Sequence, residues 1–292
     1  MSSSHLDELL SLTEVEPGIF ERDVDQTFWG WNGLFGGYVL ALALEACRAA
    51  VPKPDHRERS LSLNFLRRVQ EGRMRIEVKV ERSGRTVSNL SFRMEVGGKT
   101  VATGIAMFAT DRDSENFMVL PKPDLTLPEG EPERSPIPAP TMDHLQIWPN
   151  EAGLLLAGAD VTEGGGWMKL RQPGGADERF GFFAADGCVP VAYARFSQPQ
   201  IGGSLDFTAF FRERFPSSVI DGGEPVRIVL RSASAHLGYV DEDAEIWSAD
   251  GELLMLTRQT RYSELVDVDA LEAMGAERRL MPPLTPDSEE SS

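Results

Sequence analysis

The chain is short of most residues that simple catalytic chemistries require. It has two cysteines and four histidines in 292 residues. His5, His56, His144 and His236 form no H-x-x-H pair and no zinc spacing, so no metal is expected. No G-x-x-x-x-G-K-S/T or G-x-G-x-x-G loop occurs either. Metal, nucleotide-hydrolysis and Ser-His-Asp chemistries therefore have little to carry them, and no cofactor is expected. Cys47 and Cys188 lie far apart, in segments that read as apolar helix, without a histidine nearby in sequence. They read as buried structural thiols of a protein kept in a reduced cytoplasm.

Long apolar runs are missing as well. The longest, Val39 to Leu44, is far too short to cross a bilayer, and the start, Met1-Ser-Ser-Ser-His-Leu-Asp-Glu, has no basic and apolar leader pattern. A cytoplasmic protein without a membrane partner is expected. Basic residues are outnumbered, 29 against 46 acidic, giving a net charge of −17 and a pI near 4.7. Such a surface repels phosphate backbones, which excludes nucleic acid as a main partner. One segment reverses the sign: Arg57 to Arg85 holds nine basic and four acidic residues. It reads either as a landing strip for a phosphorylated small molecule or as a solvated strand face.

What remains is an ordinary globular composition, 41% hydrophobic and 26% charged, long enough for two domains or one duplicated unit. Leu34–Ala50 is rich in Ala and Leu, opens on a glycine pair and closes on Val51-Pro52, which predicts a largely buried helix. Strand patterns follow at Ser60–Arg67, Arg75–Glu81, Thr86–Val96 and, after the Gly97-Gly98 turn, Thr100–Ala109. Residues 111–140 then dissolve into Pro, Glu and Asp and read as a linker. Beyond it the pattern returns. Ser204-Leu-Asp-Phe-Thr-Ala-Phe-Phe-Arg212 echoes Ser60-Leu-Ser-Leu-Asn-Phe-Leu-Arg67, and Val226-Arg-Ile-Val-Leu230 echoes Met74-Arg-Ile-Glu-Val78, at a period of about 144 to 153 residues. The expected organisation is a unit over 14–110, the linker 111–140, a second unit over 141–265 and a tail, 266–292, whose Pro-rich acidic end is expected to be disordered.

The copies differ in polar content. Gln259 falls opposite Ala106 in the repeat, and an amide on an otherwise apolar strand must find partners or cost on the order of 1–3 kcal/mol. A solvent-facing Gln is the plainer reading. Gly36 and Gly37 stand where unsatisfied helix N–H groups could hold an oxyanion, although glycines also serve close helix packing.

Four segments in one order carry a resemblance. Phe35-Gly-Gly-Tyr-Val-Leu-Ala-Leu-Ala-Leu is similar to an F-G-G-Q-V-x-x-Q-A-L helix opening, and Arg59-Ser-Leu-Ser-Leu-Asn-Phe-Leu-Arg67 to an H-S-x-H-x-x-F-L-R-P strand. Gly84-Arg-Thr-Val-Ser88 is similar to D-G-x-S-F-S, and Asp250-Gly-Glu-Leu-Leu-Met-Leu-Thr-Arg-Gln259 to D-G-x-L-x-A-x-x-x-Q. Over residues 17 to 265 the chain thus resembles the acyl-CoA thioesterase II-like double-hotdog family. The resemblance implies an α+β fold, two tandem antiparallel sheets each wrapped around a helix, and hydrolysis of an acyl-CoA or carrier-bound acyl thioester. It places Ser204 and Gln259 at water-orienting positions; with such a substrate the α2 opening at Gly36, Gly37 and Tyr38 is expected to polarise the thioester carbonyl, and Arg67 and Arg68 of the basic segment to meet the CoA phosphates.

The family's A-Y-L-S-D aspartate aligns with Ala192-Tyr-Ala-Arg-Phe196, on a helix expected from about Cys188 to Gln198, so Phe196 stands where the base belongs. Glu45, Asp186 and Asp206 are the candidate replacements. The alternatives are a hotdog that binds an acyl thioester without cleaving it, or a biosynthetic hydratase, dehydratase or cyclase. Assembly into a homo-oligomer is a further expectation.

Overall fold

In the computed structural model the described residues are 4–30, 33–133, 139–150, 156, 158–172, 174–221 and 223–267. The expected disordered tail lies outside them. The first half runs α1 (His5–Leu10), β1 (Thr13–Glu16), β2 (Ile19–Val24), α2 (Gly36–Ala50), β3 (Arg57–Phe65), β4 (Gly72–Ser83), β5 (Val87–Val96) and β6 (Lys99–Ala109). The second runs β7 (Leu145–Pro149), β8 (Glu163–Leu170), α3 (Glu178–Asp186), α4 (Val191–Arg195), β9 (Gln200–Phe211), α5 (Ser217–Ile220), β10 (Val226–Arg231), β11 (Ala235–His236), β12 (Tyr239–Trp247) and β13 (Leu253–Leu265).

All pairings are antiparallel, and the strand order is palindromic: β1-β2-β4-β5-β6-β3-β9-β13-β12-β10-β8-β7, with β11 paired to β12. The two expected hotdog sheets are thus joined edge to edge. They fuse where β3 meets β9, Ser60 to Asn64 lying opposite Phe210 to Asp206, and this seam carries the pseudo-twofold of a double hotdog. The strands form because their apolar side chains alternate: along β5, Ser88, Leu90, Phe92, Met94 and Val96 are buried while Asn89 and Arg93 are exposed.

Two helices fill the hollow. Helix α2 is apolar on every side from Gly37 to Leu44, as a helix with no solvent face must be, and stops where Pro52 restricts the backbone of Val51. Helix α3 begins at Asp177, whose carboxylate caps the N–H of Arg179 at 2.9 Å, and buries Phe180, Phe182 and Phe183. The pair is antiparallel: the start of α2 meets the end of α3, where Gly37 bonds Asp186, and the end of α2 meets the start of α3, where Arg48 bonds Asp177 and Glu178.

The helix expected over Cys188–Gln198 is thus displaced. The central helix of the second unit ends at Asp186, and within Cys188–Gln198 only the single turn of α4 is helical. Pro190 explains the break, since its ring cannot continue a helix begun before it and instead precedes a new one. Phe196 is the C-cap of that short turn, its ring edge-on to Tyr193 at 5.7 Å. Cys188 consequently sits in the connection after α3 rather than in a helix. Leu120 and Leu125, from the Pro-rich connection, pack on Val229, Trp247 and Leu253 of the second unit.

Candidate active site

A cleft of about 360 Å³ opens where the N-terminus of α2, the C-terminus of α3 and the strand pair β9–β13 converge. Its apolar lining includes Leu34, Phe35, Phe65, Val69, Met142 and Tyr193. Its polar groups are Asp186, Ser204 and Arg261, with Arg67 and Arg68 at the exposed rim.

Ser204 and Arg261 face one another across the β9–β13 ladder, beside a bulge between Thr260 and Arg261. Gln259 lies two residues before Arg261 and points to the same inner face. Ser204 Oγ donates to Gln259 Oε1 at 2.8 Å, and Gln259 Nε2 donates to Glu242 Oε1 at 2.8 Å. Arg261 donates to the same Glu242 oxygen through Nε at 3.2 Å and Nη2 at 3.0 Å, and through Nη2 to Asp186 Oδ1 at 2.8 Å. The remaining Asp186 oxygen, Oδ2, accepts the Gly37 N–H at 3.0 Å. One unbroken chain of bonds therefore runs from the α2 amide through Asp186, Arg261, Glu242 and Gln259 to Ser204.

A carboxylate at the C-terminus of α3 faces the unfavourable end of that helix dipole, and the N-terminus of α2 supplies the favourable one. Gly36 is required for this approach: a Cβ there would stand 2.7 Å from Asp186 Oδ2. Burial pushes the Asp186 carboxyl above its ordinary value, and Arg261, the Gly37 N–H and the Gln259 amide offset this only in part. Burial pushes Glu242 up too; Arg261 counters it and the charge of Asp186 adds to it. Glu242 Oε2 is buried without a hydrogen-bond partner. Cys188, on the cleft wall, is pushed up to about 12 by burial, so its thiol is a poor nucleophile.

Several expectations need correcting. Tyr38 lies away from the cleft, stacked on Phe28 at 4.2 Å with its hydroxyl donating to Leu9 O, because two residues beyond Gly36 is about 200° around the helix. The Gly37 N–H is committed to Asp186, so an oxyanion cannot claim it. Glu45, nine residues along α2 from Gly36, is about 13 Å farther down the axis, where it bonds Arg179 at 2.9 Å. Asp206 caps the bulge by accepting the Thr260 N–H at 2.9 Å and does not line the cleft. Gln259 is buried one layer behind Ser204 rather than on the cleft wall.

Glu242 and Arg261 escaped notice in the sequence, although strand parity marks both. Glu242 shares its face with Val240, Ala244 and Ile246, and Arg261 shares its face with Gln259.

Family models for acyl-CoA thioesterases match both halves, the N-terminal domain over residues 27–109 and the C-terminal domain over 121–262. The chain belongs to the acyl-CoA thioesterase family. Solved structures share the fold at low identity. A conserved hot dog protein of unknown function from Alicyclobacillus acidocaldarius is 24% identical with a TM-score of 0.81, over 91% of this chain and 100% of that one. A candidate thioesterase II from Thermobifida fusca gives 20% and 0.76, over 90% and 99%. An acyl-CoA thioesterase II from Mycobacterium marinum gives 18% and 0.69, over 90% and 98%. A comparison with curated proteins finds no match. Among the described residues no helix is long and apolar enough to cross a membrane, and no acid, His or Cys cluster could hold a metal ion.

Proposed function

We propose that the protein hydrolyses acyl-CoA thioesters with Asp186 as general base. The observation that carries this reading is the position of Asp186: a buried carboxylate on the cleft wall, across from Ser204 and held at both oxygens. A water resting between Asp186 and Ser204 gives one hydrogen to each and turns a lone pair toward a thioester carbonyl in the cleft. As that water attacks, Asp186 takes its proton, the C–O bond forms and the carbonyl oxygen becomes an oxyanion. Gly36 opens α2 on the cleft wall, and the first N–H groups of a helix have no intrahelical partner, so its amide is the donor placed for that charge. Collapse breaks the C–S bond, and the proton on Asp186 goes to the departing thiolate, leaving free acid and thiol.

The raised affinity of Asp186 for protons suits a base, provided the pH is high enough to ionise it. Arg67 and Arg68 at the rim give this acidic protein a local attraction for the CoA phosphates. Arg67 is partly committed, its Nη1 donating to Thr100 O at 2.6 Å.

The test is thiol release from a panel of acyl-CoAs by wild type and by Asp186→Asn. Turnover in wild type that is lost in a folded Asp186→Asn protein supports the base. Equal turnover in both removes Asp186 from the mechanism, and acyl-CoA binding without any release points to a protein that holds the thioester uncut.

A further inference from the structure

Ser204 can serve the proposed water in two opposite ways. A hydroxyl that donates into the cleft would seize a lone pair of the water and blunt it as a nucleophile. One that accepts from the cleft would take a hydrogen and leave the lone pairs for attack. A serine has one hydrogen, so its inner partner decides which face it shows. That partner is Gln259 Oε1, at 2.8 Å. Gln259 could as well present Nε2 to Ser204, and nothing in a carboxamide itself selects between the two flips.

The selection comes from behind. Glu242 Oε1 accepts from Gln259 Nε2 at 2.8 Å and from Arg261 at 3.0 and 3.2 Å. Arg261 has donors only, so whatever group stands at 242 must offer it an acceptor, and the same acceptor draws the amide nitrogen of Gln259. Both residues are about as buried as any in the protein, Glu242 and Gln259 each 1% exposed, so no solvent can supply the alternative flip.

We propose that Glu242 is a positioning residue for hydrolysis: by holding Gln259 with its oxygen toward Ser204, it forces the Ser204 hydroxyl to donate inward and to present only acceptor lone pairs to the cleft. Arg261, bonded at once to Glu242 and Asp186, fixes this arrangement relative to the base. The orphaned Glu242 Oε2 fits the role, since a carboxyl group burying one unpartnered oxygen is tolerated where the other does a task. The inference rests on the hydrolytic reading above and assigns a polarity to it.

The test is a double-variant cycle read as kcat and KM for one acyl-CoA. Glu242→Leu removes the acceptor 2.8 Å from Gln259 Nε2 and leaves only the weaker pull of Asp186 on that amide, so Gln259 is released to flip, and kcat is expected to fall on the order of tenfold or more with KM within about twofold. In a Ser204→Ala background the same change should add almost nothing, because Glu242 acts through the hydroxyl. Glu242→Gln should rescue: Arg261 turns the new carboxamide oxygen inward, and Gln259 keeps its orientation.

If Glu242→Leu leaves Arg261 too poorly paired to fold, Gln259→Leu, which removes the carboxamide while leaving the Arg261 pairs with Glu242 and Asp186 in place, enters the same cycle. A Glu242→Leu protein with wild-type kcat, or one whose loss is undiminished without Ser204, overturns the inference alone when Ser204→Ala is itself impaired. Wild-type kcat in Ser204→Ala overturns the hydrolytic role of that hydroxyl and the inference with it.

Discussion

The antiparallel helix pair has two ends, and duplication built a cradle at each. Sheet register makes them comparable residue by residue. Ser204 lies opposite Arg261 beside a bulge in the second unit; in the first, Glu58 lies opposite Phe108 beside a bulge. Gln259 lies opposite Phe207 and Glu242, whereas Ala106 lies opposite Leu61 and Leu90. The first unit therefore puts Glu58, Ala106, Leu90 and Phe108 where the second puts Ser204, Gln259, Glu242 and Arg261.

Three of those four are apolar. The fourth, Glu58, is tied to Arg48, which also bonds Asp177 at 2.8 Å and Glu178 at 2.7 Å, while Arg179 gathers Asp7, Glu45 and Asp177. One end keeps its polar atoms facing a cleft; the other spends them on ion pairs between helices. On the proposed reading the same scaffold becomes a reaction chamber at one end and a clasp at the other.

The contrast is open to attack at several points. The largest effect is expected from Asp186→Asn, which should lower kcat roughly 10²- to 10⁴-fold, the range for loss of a general base. Glu45→Gln, at the clasped end, should leave thiol release within about twofold; the reverse outcome would exchange the roles of the two ends. Next comes Arg48→Met, which strands Glu58 and Glu178 while Asp177 keeps Arg179, and should cost about 3 kcal/mol in urea unfolding, with kcat per folded molecule unchanged.

Gln259→Ala should lower kcat roughly 10- to 100-fold, measured by the same thiol assay. Ala106→Gln, its mirror, should create no second activity and should instead lose about 1–3 kcal/mol of stability for an amide without partners. Gain of turnover in Ala106→Gln would show that the clasped end keeps a latent site.

The carboxyls of the two ends are shifted in opposite directions, so acid should reach them at different pH. Because burial raises the folded-state pKa of Asp186 above its ordinary value, kcat/KM should fall as pH drops through that raised value. Burial pushes Asp177 up, but Arg48 and Arg179 outweigh it and hold it below its usual value. The stability that Asp177 contributes is present above the ordinary value and lost as pH falls through the depressed one. Acid unfolding of Asp177→Asn should accordingly show a shallower pH dependence than wild type. The smallest effect is expected at the rim: Arg67→Ala or Arg68→Ala should raise KM for acyl-CoA a few-fold, on the order of 1 kcal/mol for an exposed charge contact, and leave acyl-pantetheine unaffected.

The scaffold was written openly in the sequence because apolar periodicity and turn residues repeat with the duplication. The α2 boundaries and the difference between Gln259 and Ala106 followed from local pattern, whereas the strand echo was two residues out of phase: register puts Glu58, not Ser60, at the place of Ser204. The proposed base was harder to see. Asp186-Gly187 has the look of a turn, and only the fold shows that the turn ends a buried helix against Gly37. The motif alignment settled on Ala192–Phe196 because α4 is itself Ala-rich and helical; if Asp186 is the base, as proposed, similarity of residue type concealed a shift along the chain. Glu242 and Arg261 lay hidden for another reason: on a charge-rich strand, acids and bases read as solvated until inward parity is counted. The lesson is that polar residues in phase with a buried face merit the same suspicion as an isolated Gln.

The β3–β9 seam also has a history in time. Strand β3 ends at Phe65 and β9 begins at Gln200, so the first unit leaves the ribosome long before its neighbour. At ordinary elongation rates β3 waits roughly ten seconds as an open edge, and such an edge invites pairing with any other nascent chain. Arg57, Arg59 and Asn64, spaced along that strand, are the kind of residues that discourage it. The first unit must therefore be born tolerably soluble with half its sheet missing, and it completes that sheet only when its own duplicate arrives.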